Sequence, residues 1–97
     1  MATNDIPVLV KRVTMAMVTG KGIAFPAALD IARASLTKQG YLASGSDRGP
    51  VTNIKLTAKG AQRNREHMRK PMRESIAFDR LFTKYGPRLG GVTAPEK

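Results

Sequence analysis

Apolar side chains at Ile6, Leu9, Val10, Val13 and Met17 recur at helical spacing, which predicts an amphipathic helix with Lys11, Arg12 and Thr14 on its outer side. Gly20 and Gly22 set its end near Thr19. The stretch GIAFP then reads as a short extended connector, because Pro26 disfavours the helical region for Phe25 while suiting the first turn of a helix itself. A second helix is expected over Ala27 to Gln39, closing on Gly40. Phe25, Leu29, Ala32 and Leu36 line its inner side, leaving Asp30, Arg33, Ala34, Thr37 and Lys38 outward.

From Gly40 the period changes. Tyr41 to Ser44 and Val51 to Thr57 read as antiparallel strands around GSDRGP, with Ile54 and Leu56 on one face and Asn53, Lys55 and Thr57 on the other. Thr57 is placed to cap a helix starting at Ala58. Pro71 lacks the amide hydrogen that a helix interior uses, so a kink or break is expected there, followed by a second helical piece, Met72 to Tyr85. Its stripe of Met72, Ile76, Phe78, Leu81, Phe82 and Tyr85 should pack on the first helix or on a second copy of the protein. Residues 1–5 read as a flexible N-terminus and 86–97 as a flexible tail, leaving 6–85 as one domain.

Charge changes this picture more than composition does. In 97 residues, 17 Lys and Arg oppose 7 Asp and Glu, for a net charge of +10. Cations clustered at that density bind a polyanion by releasing its counterions, which makes nucleic acid the leading partner. From Lys55 to Arg73 seven cations face a single acid, Glu66, so most of the excess sits on the helix after Thr57. No cysteine is present and His67 is the one histidine, so disulfides and a zinc site are not expected. No nucleophile, base and acid cluster or phosphate-cradling Gly-Lys-Ser/Thr run appears, and the expectation is a protein that is not an enzyme and carries no cofactor. Lys11 and Arg12 interrupt the early apolar run, so neither a signal peptide nor a membrane span is expected, and the default location is cytoplasmic, associated with the nucleoid.

The run SLTKQGYLASGSDRGPVTNIKLTAKG resembles the winged helix-turn-helix regulators of MarR and PadR type. The features shared are a helix ending in Leu-x-x-x-Gly-aromatic-Leu, a strand, a wing with an Asp-Arg pair, and a strand ending in Leu-Thr-x-Lys-Gly. The resemblance implies an α+β, mainly helical fold: a compact winged-helix-like domain with a two-stranded β-hairpin wing and C-terminal helices. It assigns structural roles to Leu36, Gly40, Leu42, Leu56, Thr57 and Gly60, and makes Arg48 the wing-tip contact. That family has three helices before the first wing strand; here two fit between Ile6 and Gly40, so the C-terminal helices must complete the core.

The function expected from these readings is a small DNA-binding protein of bacterial or phage type, a transcriptional regulator or architectural factor. Asp30, Arg33, Ala34 and Lys38 would read base edges of double-stranded DNA, Arg48 would extend the footprint, and Lys55, Lys59, Arg63, Arg65 and Arg69 would clamp phosphates. A two-fold homodimer through the C-terminal helix is expected. The competing reading is an interaction protein whose basic surface docks an acidic partner. RNA binding is weaker, because the aromatic residues fall mostly on the stripe expected to be buried.

Overall fold

The computed structural model describes residues 6–85; the two terminal segments expected to be flexible, 1–5 and 86–97, lie outside the described residues. Four helices make the fold: α1 (Val8–Lys21), α2 (Phe25–Lys38), α3 (Ala58–Met68) and α4 (Arg73–Tyr85). Helix α1 is the central element, and α2, α3 and α4 pack on it more than on one another. None of the described helices is long and apolar enough to cross a membrane.

Helix α1 starts after Pro7 with no capping side chain of its own; the Leu9 N–H is satisfied from α3, by Asn64 Oδ1 at 2.8 Å. It runs through Gly20 and ends at Gly22, whose φ of 68° lets the N–H fold back on Met17 O. Ile6, Leu9 and Val10 are buried as the spacing requires, but Lys11 and Thr14 are buried too, against the expectation that both face outward. Thr14 fits because its hydroxyl donates to Val10 O at 2.8 Å, which disposes of the polar group inside its own helix. Lys11 fits because α4 supplies a counter-charge: Nζ lies 2.9 Å from Asp79 Oδ1, and 5.8 Å from the centre of the Phe78 ring. One residue on, Arg12 pairs with Glu74 at 2.8 Å and donates to Pro71 O. Two adjacent cations of α1 therefore hold α4.

Helix α2 begins two residues earlier than expected, with Pro26 in its first turn, where no amide hydrogen is needed. Phe25, Ala28, Leu29, Ala32 and Leu36 are buried on it. Phe25 meets Phe78 edge-on at 5.1 Å and stacks on Tyr85 at 5.6 Å, which joins α2 to α4. Gly40, at φ 86°, then reverses the chain, and Tyr41 N and Leu42 N both return to Leu36 O.

Between Gly40 and Ala58 the structure corrects the expected fold. The described residues contain no strand and no hairpin wing; the domain is all-helical, and the two expected strands meet at a single bridge, Leu42 with Leu56. Ala43 N to Lys55 O and Thr57 N to Tyr41 O flank that bridge, and pairing stops there. Val51–Asn53 forms a 3-10 turn that buries Val51 and Ile54, three residues apart, where a strand would have alternated. The second expected strand is instead taken up by nearby partners: Asn53 N–H donates to Pro50 O, Ile54 N–H to Val51 O and Lys55 N–H to Ser46 Oγ. Arg33 fixes the loop before it. Its side chain is 1% exposed and its guanidinium collects the carbonyls of Ser46 (2.7 Å), Gly49 (2.9 Å), Arg48 (2.9 Å) and Pro50 (3.3 Å). These carbonyls belong to the loop between the two expected strands, so Arg33 holds that loop from inside, and the Gly45 and Gly49 positions (φ 93° and 74°) supply its bends.

Thr57 does cap α3: its hydroxyl accepts from Gly60 N at 3.0 Å and donates to Gly40 O at 2.6 Å, tying the start of α3 to the end of α2. The break expected at Pro71 separates α3 from α4. On α4, Ser75, Phe78 and Phe82 are buried, whereas Ile76, and Met72 just before the helix, both expected on the same packed stripe, are exposed.

Candidate nucleic-acid interface

Helix α3 is the least buried of the four: among its residues only Gly60 is fully inside. Gly60 lies against the Tyr41 backbone so closely that a Cβ there would overlap the Tyr41 carbonyl oxygen and sit 2.8 Å from its carbon. This close approach brings the first two turns of α3 beside Tyr41. Lys59 Nζ stands 4.5 Å from the centre of the Tyr41 ring and the Arg63 guanidinium 5.5 Å from it, both within the range of a cation–π contact. Arg63 also donates to the Tyr41 hydroxyl at 3.2 Å. The three side chains, with Gln62 and Glu66, line an open polar cleft of about 250 Å³.

The electrostatics of this cleft follow from its contacts. The hydrogen bond from Arg63, then the charges of Arg63 and Lys59, hold the Tyr41 phenol below its ordinary range, while Tyr41 and Glu66 hold the Arg63 guanidinium above its own. Lys59 sits in the first turn of α3, where the helix dipole disfavours a cation; its ammonium offsets this by donating to Gln39 O at the carbonyl end of α2. Glu66 is the one acid in the cleft, 3.5 Å from Arg63.

The remaining expected contact residues scatter in an ordered way. Arg65 and Arg69 are exposed, and Arg65 lies two residues, about 200° of turn, from Arg63, so it marks the opposite edge of α3. Lys55 is exposed beside Asn53 and Ser44 in a second shallow cleft of about 240 Å³. Arg48 stands out from its loop with 81% of its side chain exposed, 3.7 Å from Asp47. On α2, Asp30, Ala34 and Lys38 form one outward stripe at four-residue spacing. Arg33 does not belong to it: the residue expected to read base edges is a buried internal cation. Burial pulls its pKa below the usual guanidinium value, with the carboxylates of Asp30 and Asp47 acting in the other direction.

Sorting the cations by use defines the candidate surface. Lys11, Arg12 and Arg33 are engaged inside the fold, whereas Lys55, Lys59, Arg63, Arg65, Arg69, Lys70 and Arg73 are exposed along α3 and its flanks. Tyr41 is the member that the sequence pattern did not single out; its signal was an aromatic residue directly after the helix-ending Gly40. His67 is half-buried, with no partner for Nδ1 among the described residues, and burial followed by the charges of Lys70, Arg12 and Arg63 lowers its pKa. Among the described residues no group of His, Cys, Asp or Glu is arranged to hold a metal ion. Compared with known proteins, the chain matches no family model, and no curated protein or solved structure matches it.

Proposed function

We propose that this protein is a small basic DNA-binding protein, a transcriptional regulator or architectural factor of the nucleoid, that grips double-stranded DNA through the Lys59 and Arg63 edge of α3. The observation that carries this reading is the division of labour among the cations. Lys11, Arg12 and Arg33 are at least partly buried and engaged inside the fold, whereas the cations of α3 are exposed even where they hydrogen-bond, with Glu66 as the only acid on that helix. Lys59 and Arg63, exposed one turn apart on the same edge of α3, have the chemistry to contact a phosphate chain without reading bases. Arg48, on a loop fixed from inside by Arg33, and the Asp30, Ala34 and Lys38 stripe of α2 are the places from which contacts could widen beyond α3. Binding of a labelled mixed-sequence duplex across a salt series tests the reading. Log affinity should fall linearly with log salt, and no binding at low salt would refute it.

A second reading has its own observation. Met68, Met72 and Ile76 are 56%, 40% and 55% exposed at the end of the basic helix and the start of α4, a mixture of charge and apolar surface that suits an acidic protein partner. The exposed Met72, just before α4, and Ile76 on it are also where a second copy would add apolar burial to form a dimer; sedimentation at micromolar concentration distinguishes that dimer from a monomer.

A further inference from the structure

We infer that Tyr41, Lys59 and Arg63 form a seat for a single phosphodiester group, with the Tyr41 hydroxyl as a neutral hydrogen-bond donor between two cations. This rests on the DNA-binding reading and names one atomic contact within it. Arg63 donates to the Tyr41 oxygen, and the phenol's own hydrogen has no acceptor among the described residues. The ammonium of Lys59, the guanidinium of Arg63 and that O–H are thus three donors bordering one open cleft. The group that satisfies them accepts hydrogen bonds only and carries negative charge, and a phosphodiester is such a group. The weak contact of Arg63 with Glu66, at 3.5 Å, already places an oxyanion at one edge, and it is long enough to be exchanged for a better one.

The ring's neighbours favour a phosphate. Two cations lie 4.5 Å and 5.5 Å from the Tyr41 ring centre, and the hydroxyl edge, to which Arg63 donates, borders the cleft. The lowered pKa of the phenol agrees with this, since a more acidic O–H is the better donor to an anion.

The full chain and a labelled mixed-sequence duplex test the seat. Lys59→Gln and Arg63→Gln should each reduce the slope of log affinity against log salt by about 0.9, the value of one phosphate contact. Tyr41→Phe should weaken binding about tenfold and leave the slope unchanged, because it removes one hydrogen bond to a charged acceptor and no charge. Arg63→Lys should keep the slope and lose affinity as Tyr41→Phe does, since it keeps the charge and loses the fork. Lys21→Gln, at the exposed end of α1, should bind as the unaltered protein does. Lys59 also holds Gln39 O, so the decisive variant is Tyr41→Phe, whose missing hydroxyl has Arg63 as its only hydrogen-bond partner among the described residues. With carbon-labelled tyrosine the chain gives two ring signals, Tyr41 and Tyr85, and the duplex should move the first alone. Salt-dependent binding that Tyr41→Phe leaves at full strength would overturn the seat and spare the DNA reading. Failure of the unaltered protein to bind duplex, or capture of poly-glutamate in its place, would overturn both.

Discussion

Gly60→Ala offers the sharpest test of how α3 is placed. Alanine in a helix interior is favoured over glycine by about 1 kcal/mol, so propensity alone predicts a more stable protein. The contact with Tyr41 predicts the reverse. The added carbon would overlap the Tyr41 carbonyl oxygen, stand 2.8 Å from the carbonyl carbon and lie 3.1 Å from Leu56 Cδ2; of these, only the leucine methyl can turn away. Helix α3 must then retreat from Tyr41, a rearrangement of the overpacking kind that costs about 1–3 kcal/mol. Retreat also strains the Thr57 cap, which holds Gly60 N and Gly40 O together and contributes about 1 kcal/mol. With the propensity gain deducted, the net loss is about 1–3 kcal/mol. Gly20→Ala is the matched control: this glycine is also helical, and its added carbon meets nothing within 4 Å, so stabilisation by about 0.5–1 kcal/mol is expected. Urea unfolding followed by far-ultraviolet circular dichroism reads both, and the two midpoints should move in opposite directions. A Gly60→Ala midpoint at or above that of the unaltered protein would refute the close approach of α3 to Tyr41.

Two further predictions concern charge inside the fold. Arg33→Lys keeps a cation but cannot reach the four carbonyls that the planar guanidinium gathers, so a loss of about 2–4 kcal/mol in urea unfolding is expected; a change below about 0.5 kcal/mol would deny Arg33 its structural role. His67 has a folded-state pKa below its ordinary value of 6.5, so between those two values the unfolded chain binds more protons than the folded one. Stability contributed by the neutral imidazole is therefore complete above about pH 6.5 and declines as pH falls through that window. His67→Gln should flatten the melting temperature against pH there, and an unaltered slope would exclude His67 as its source.

Much of the helical framework was legible because it rests on local chemistry. Pro71 broke the helix, Gly22 and Gly40 ended theirs, and Thr57 capped α3, each through backbone groups within a few residues. Two of the misreadings share a different cause. Lys11 and Arg33 were assigned to solvent by their charge, and both are buried because partners distant in sequence neutralise or bind them: Asp79 for one, the carbonyls of residues 46–50 for the other. The expected wing failed for a more local reason. Alternation in Ile54, Lys55 and Leu56 suits a strand, but Val51–Asn53 turns on its own backbone and the Lys55 N–H goes to the Ser46 hydroxyl, so pairing stops at one bridge. The candidate site was legible in its charge and not in its geometry: Lys59 and Arg63 stood out as cations, while their grouping on Tyr41 depends on the bare surface of Gly60.

The central place of α1 has a consequence for how the chain acquires its structure. Of the described helices α1 is made before the others, and it finds its last partner, α4, only after some sixty intervening residues have been added, as the Arg12 to Glu74 bond requires. Until then the Phe25 ring lacks Phe78 and Tyr85, and the buried ammonium of Lys11 lacks its carboxylate. A nascent polypeptide halted near Pro71 should accordingly remain open to proteolysis along its whole length, and protection should arrive in one step once α4 is released from the ribosome.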